Sequence, residues 1–267
     1  MSNTGRRVAA VVEYDGSDFA GWQSQSHAAS IQDAVQQALG FVAGHAVEVS
    51  CAGRTDSGVH ALAQVVHFDT GAVRTPREWV LGANTRLPPT IALQWAGEVA
   101  ADFHARHSAL RREYRYCILS RSSRSALQRQ RATWIHRGID LQAMQSAADV
   151  LLGEHDFSAF RAAECQSKTP VRRIESLRLS RSGDYVWAGV VANAFLHHMV
   201  RNIVGTLLNV QSAADPAAAM RAILESRDRR RAGMTAPPEG LYLWHISYAE
   251  RHGIPAAEGG LLLRPSG

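Results

Sequence analysis

The sequence predicts an α+β chain made of two units that share one order of elements, βαββαβ. Three observations predict it. β-Branched runs of strand length alternate with stretches whose apolar residues recur at helical spacing. The order found in residues 1–107 returns in residues 108–251. The 267 residues are also enough for one large domain or two small ones, each with its own core. Two such ferredoxin-like units side by side make a broad mixed or antiparallel sheet, with helices packed on one face and a central cleft.

The elements follow in order. Val8–Tyr14 is a β-branched run that stops at Asp15-Gly16, a strand and then a turn. Ser30 is placed to cap a helix carrying Ile31, Val35, Leu39 and Val42 on one face, and Gly44 ends it. Val47–Cys51 and Leu62–Phe68 read as strands around the loop Gly53–His60. Pro76 opens a second helix through Leu87, and Ile91–Val99 is an apolar strand. In the second half Leu110–Leu119 is strand-like and Leu141–Leu152 helical. Val171–Leu179 and Tyr185–Ala192 form a strand pair turning near Ser182-Gly183. Met199, Val200, Ile203, Val204, Leu207 and Leu208 then share a helical face. A shorter helix starts at Pro216, and Leu241–Tyr248 closes the half as a strand. Residues 252–267, rich in Gly, Pro and Ala, read as a loosely held tail.

Composition narrows the function classes. With 46% hydrophobic and 20% charged residues the chain reads as an ordinary soluble protein. No apolar run is long enough to span a membrane, and the first residues lack the apolar core of a secretory signal. Cys51, Cys117 and Cys165 are an odd, scattered set, which argues against a disulfide framework and a zinc site and fits a reducing cytoplasm. The net charge of +5 is unevenly spread. Residues 1–107 carry seven Arg against ten acids, net −3; residues 108–267 carry 22 Lys and Arg against 14 acids, net +8. A basic half fits a polyanionic partner. The plainer reading is codon bias, since Lys168 is the only lysine in a chain rich in Ala and Arg.

One loop stands out chemically. Cys51-Ala52-Gly53-Arg54-Thr55-Asp56-Ser57-Gly58-Val59-His60 lies between two strands, with Gly53 and Gly58 bracketing a short acid. Glycines there permit backbone angles that other residues avoid and let a large substrate come close. By pattern alone a tight turn, with Asp56 bonded to nearby amides, is favoured.

These ten residues closely resemble the signature loop of the tRNA pseudouridine synthase A family. Other segments match that family in order: Glu13-Tyr14-Asp15-Gly16, Gly21-Trp22-Gln23, Gln64–Phe68, Phe103–Arg106, Arg112–Tyr116, Asp156–Phe160, His197–Gly205 and Ala236–Leu243. Ser57 stands where the family usually has Ala, and His107 where an aromatic is common. The resemblance implies the pseudouridine synthase fold and a cytoplasmic enzyme without cofactor or metal. It further implies isomerisation of uridine at tRNA positions 38, 39 and 40, in the anticodon stem-loop, by a homodimer.

Residue roles follow from the same resemblance. Asp56 is the nucleophile, attacking either C1′ or C6. Such a carboxylate must be ionised, and a nearby cation favours that form. Arg201 is the candidate cation; a decorative arginine is disfavoured in the first turn of a helix, where the dipole opposes it. Tyr114 matches the tyrosine that stacks on the target base, with Tyr116 filling the core on the same strand face. Arg54 is placed to contact phosphates or help extrude the base.

Other candidates are weaker. His197 and His198 are adjacent, so a regular element cannot aim both at one metal, and no H-x-x-x-H or H-E-x-x-H occurs. The run Arg227-Asp228-Arg229-Arg230-Arg231 fits an RNA grip and fits a solvated helix end nearly as well. A non-catalytic RNA-binding protein of this fold would be expected to lose Asp56, Arg201 or Tyr114. A phosphatase would show D-x-D after an apolar strand, and a glycosidase needs a second carboxylate opposite the first.

Overall fold

Strand β1 (Arg6–Tyr14) is buried from Val8 to Val12 without alternation, as an interior strand covered on both faces must be. Its neighbours on either side are β3 (His60–Thr70) and β4 (Ile91–Val99), both antiparallel to it. The short β2 (Ser50–Cys51) lies on the far side of β3. The resulting order, β4-β1-β3-β2, is that of a split βαββαβ unit. The chain is therefore α+β, as its pattern predicts, in a computed structural model that describes residues 5–255.

Local chemistry fixes both helices of this first unit. Helix α1 (Ile31–Ala43) starts at Ser30, whose Oγ accepts from Asp33 N at 3.1 Å. It stops at Gly44, left-handed at φ 76°, whose N–H returns to Gly40 O. Helix α2 (Pro76–Asn84) begins with a reciprocal cap: Glu78 N donates to Thr75 Oγ1, and Thr75 N to the Glu78 carboxylate. Trp79 of α2 sits edge-on to Phe68 of β3 at 5.2 Å, joining helix to sheet. Helix α2 ends three residues before the expected Leu87, because Leu87 precedes Pro88 and is pushed out of helical geometry.

In the second unit β5 (Arg111–Ser120), β9 (Tyr185–Ala192), β8 (Val171–Ser182) and β7 (Gly153–Asp156) are successive antiparallel neighbours. A three-residue strand, β6 (Thr133–Ile135), lies parallel to β5. The β8–β9 turn places Gly183 at φ 56°. Helices α3 (Leu141–Asp149), α4 (Met199–Val210) and α5 (Pro216–Ser226) pack on one another. Helix α3 stops short of Leu152, in turns where Leu151 and Leu152 bond three residues back, before Gly153 at φ 95°.

The division of the chain differs from the sequence reading at the last strand. Among the described residues the compact units are 5–110 with 242–255, and 111–241. The boundary expected at 107/108 falls at Leu110. Strand β10 (Leu241–Ser247) pairs in parallel with β3, Tyr242 opposite His60 and Leu243 opposite Ala61. Sequence order places that strand in the second half; hydrogen bonding, blind to sequence distance, puts it against the first. The expected tail also begins too early, since His252 is buried with its ring 5.1 Å from Phe103. Residues 256–267 of that tail lie outside the described residues.

Candidate active site

The loop between β2 and β3 is clamped from several directions. Gln64, fully buried within β3, holds Gly53 on both sides: Gly53 N donates to Oε1, and Nε2 donates to Gly53 O. Trp22 N donates to Thr55 O at 3.0 Å, and the Tyr14 and Thr55 hydroxyls bond at 2.8 Å. Val59 N donates to Asp56 O, and Ser57 Oγ to Phe19 O. Asp56 is half-buried at the turn so formed, and Arg54 is exposed on the same loop. Gly58 has the left-handed φ of 75° expected of a bracketing glycine; Gly53 does not, so its role lies in the Gln64 clamp.

Two glycines elsewhere make this packing possible, and sequence reasoning missed their purpose. A Cβ on Gly16 would lie 2.0 Å from Val59 O, and one on Gly21 would lie 2.8 Å from Thr55 O. Gly21 also has φ +101°. The opening segments Glu13–Gly16 and Gly21–Gln23 therefore serve as a bed for the Asp56 loop. Beneath it Gly16 N and the Asp15 carboxylate both lie 3.2 Å from His60 Nδ1, which stacks on Tyr242 at 4.8 Å. That nitrogen accepts from Gly16 in one tautomer and donates to Asp15 in the other. His60 and Ser17 together hold the Asp15 carboxyl well below the usual range. Burial pushes the Cys51 thiol at the loop's base up to about 11, so it is not a competing nucleophile.

Phe103–Arg106 is anchored in the same unit. Ala105 N donates to His67 Nδ1, and Tyr248 Oη donates to Ala105 O at 2.6 Å. Burial, with the neighbouring His104 and Arg7, pushes His67 down to about 4, so at neutral pH its ring is an uncharged acceptor.

In the second unit, Tyr114 lies on β5 with its ring edge-on to Phe195 at 5.0 Å and 82°. Tyr116, two residues along the same face, is completely buried; its hydroxyl donates to Pro237 O and bonds Thr133 Oγ1 at 2.6 Å. Tyr116 is a core residue, as expected, and Tyr114 is itself buried at 8% exposure. Phe195 was not among the residues read from the sequence, though an aromatic just before His197–Gly205 was a usable signal.

Arg201 occupies the first turn of α4, and its Nε donates to Ala236 O at 2.8 Å. Segment 229–236 is bolted to this turn. Arg229 donates to Asn202 Oδ1 and Thr235 Oγ1, both at 3.0 Å, and to Gly233 O at 2.9 Å. Thr235 donates to Asn202 Oδ1, and Asn202 Nδ2 to Phe160 O. A Cβ on Gly205 would lie 1.8 Å from Met234 O, which shows how closely the two backbones approach. Within the arginine run Arg229 ties the network from a half-buried position, while Arg227, paired with Asp156 at 3.3 Å, and Arg230, paired with Asp228 at 2.8 Å, are exposed.

The histidine pair also departs from expectation. His198 is left-handed, at φ 60°, so the pair is not on a regular element, and the His197 and His198 rings lie together with centroids 4.0 Å apart. Adjacent residues point apart only where the backbone is regular. Overall, the predicted site residues divide evenly: Asp56 and Arg54 share one loop of the first unit, and Tyr114 and Arg201 belong to the second.

A family model described as tRNA pseudouridine synthase matches residues 10–108 and 147–249. A tRNA pseudouridine synthase A of Shewanella amazonensis is 49% identical over 259 residues, covering 97% of this chain and 99% of the relative. One of Methylococcus capsulatus is 50% identical over 248 residues, covering 93% and 92%. One of Actinobacillus succinogenes is 48% identical over 259 residues, covering 97% and 98%.

Proposed function

The chain belongs to the tRNA pseudouridine synthase family and is an isomerase acting on tRNA, and we propose that it converts uridine to pseudouridine at positions 38, 39 and 40 of the anticodon stem-loop with Asp56 as nucleophile. The N1–C1′ bond breaks, the uracil turns, a C5–C1′ bond forms, and the C5 proton is lost as N1 gains one. Atoms and charge balance within the nucleoside, so the reaction needs no redox partner or group donor. Asp56 supplies the carboxylate. Arg201 favours its ionised form, Tyr114 stacks on the extruded base, and Arg54 contacts the backbone. The protein works as a homodimer in the cytoplasm. Among the described residues no helix is long and apolar enough to cross a membrane.

The observation that carries this reading is the clamped loop. Asp56 stands on a turn pinned by Gln64, Trp22, Tyr14 and two intolerant glycines, far more restraint than a surface turn requires. Such restraint suits a nucleophile that must meet its target in one geometry. The test is carbodiimide mapping of pseudouridine in tRNA treated with the wild-type protein or Asp56→Asn. Wild type is expected to modify the anticodon arm without changing RNA mass, and the variant to bind tRNA without turnover. Pseudouridine formed by a homogeneous Asp56→Asn preparation would remove Asp56 from the role.

A further inference from the structure

We propose that the segment between β5 and α3, residues 121–137, binds backbone phosphates of the tRNA body, outside the anticodon arm. The sequence from Tyr116 to Ile139 contains five arginines and no acid. Elsewhere the arginines are commonly neutralised: Arg6 pairs with Glu98, Arg7 with Asp69, Arg111 with Glu175, and Arg115 with Glu113. Codon bias would scatter arginine without regard to acids; this segment is where the acids are missing. Arg124 and Arg129 are exposed, and their side chains have no hydrogen-bond or ion-pair partner among the described residues. Both heads are thus available to an anion.

The segment is built to present them. Arg121 closes it from within, donating from Nε to Ser123 O at 2.8 Å and from Nη2 to Arg124 O at 3.2 Å. Trp134 Nε1 donates to Arg121 O at 2.9 Å, and β6 ties the returning chain to β5. Gln128 N is held by Ser125 Oγ, and Arg131 N by Gln128 O. Several backbone groups of the loop are thus bonded within it, while the Arg124 and Arg129 side chains are exposed. Trp134 keeps 41% of its surface exposed beside these arginines, an aromatic face of the kind that RNA-binding surfaces interleave with basic residues. The family model's two matched stretches stop short of this segment on either side.

Its place along β5 sets which part of the RNA it meets, a point that rests on Tyr114 as the base-stacking residue. From Tyr114 to the end of β5 at Ser120 is six residues, roughly 20 Å of extended strand. Along a duplex that is about six base-pair steps. A loop that far from the target base reaches past a short anticodon stem-loop.

The test uses the full chain carrying Arg124→Gln and Arg129→Gln together, with two ligands: folded tRNA and the isolated anticodon stem-loop. Affinity for each is measured across a salt series, with single-turnover pseudouridine formation alongside. The preference for tRNA over the stem-loop is expected to shrink about tenfold. The log–log salt slope for tRNA should become shallower by about 1–2 units, two phosphate contacts' worth. An unchanged preference overturns the proposal, as does an equal loss on both ligands. A change in oligomer size with tRNA preference intact would assign the surface to a second copy instead. Tyr114→Ala separates the two readings. If it keeps full activity while the double variant loses tRNA preference, the stacking role fails and the phosphate surface stands. If it is inactive while the double variant behaves as wild type, the reverse holds.

Discussion

Arg229 Nη2 lies 3.0 Å from Asn202 Oδ1, and through that bond a loop after α5 grips the residue beside Arg201. Arg201 is held on the other side by Ala236 O, at the end of the same loop. The guanidinium of Arg201 is thus oriented by a segment 28 or more residues later in the sequence, and Arg229 acts as a positioning residue.

Arg229→Gln should therefore lower kcat by about 10–100-fold, the scale of a misplacement near 1 Å, with tRNA affinity nearly unchanged. Losing these bonds should also cost about 1–3 kcal/mol of stability, since Asn202 and Thr235 lose a partner. Arg229→Lys, which keeps the charge but not the fork, should recover stability more than rate. A variant that loses affinity as much as rate would return Arg229 to an RNA-contact role.

The glycine bed makes a second prediction. Gly16→Ala must move the Asp56 loop, because its Cβ would meet Val59 O at 2.0 Å. A destabilisation of about 1–3 kcal/mol and a large fall in kcat are expected, read by urea unfolding and single-turnover assay. Gly71→Ala is the control: nothing lies within 4 Å of its Cβ, so it should be near neutral. Wild-type turnover by Gly16→Ala would show that the loop tolerates displacement.

His67 gives the protein a definite pH response. Its pKa is about 4 folded and about 6.5 unfolded. The stabilisation from a neutral ring is complete above the unfolded value and is lost as pH falls from 6.5 towards 4, where the unfolded chain binds the proton first. Below 4 the loss levels off. His67→Gln keeps an acceptor for Ala105 N and does not titrate. Between pH 7 and 4.5 the wild type should lose about 2 kcal/mol more stability than this variant. Parallel stability curves would mean that His67 is not held neutral.

On the proposed assignment one active site serves three neighbouring tRNA positions, and it cannot then depend on fixed base-edge contacts, since each shift changes every base within reach. Recognition is expected to rest on backbone shape and charge, with extrusion easiest at the flexible end of the stem. Swapping flanking base pairs should leave modification nearly unchanged, while stiffening the stem with G·C pairs should slow it. The opposite pattern would make this a sequence reader.

Local chemistry was legible in the sequence wherever it acts over a few residues. Ser30, Gly44, Pro76 and the Gly183 turn announced their elements because caps and turns are short-range. The Asp56 loop was legible too, as a glycine-bracketed acid and as a family signature. Tertiary structure alone decided what holds that loop. Gly16 and Gly21 lie tens of residues from Val59 and Thr55, and nothing in their local pattern says which backbone they must admit. The same holds for β10, joined to β3 by pairing that ignores chain order, and for Arg229, which read as surface charge until its acceptors were in place. Propensity and capping are set by neighbours in sequence, whereas close approach and hydrogen-bond closure are set by neighbours in space.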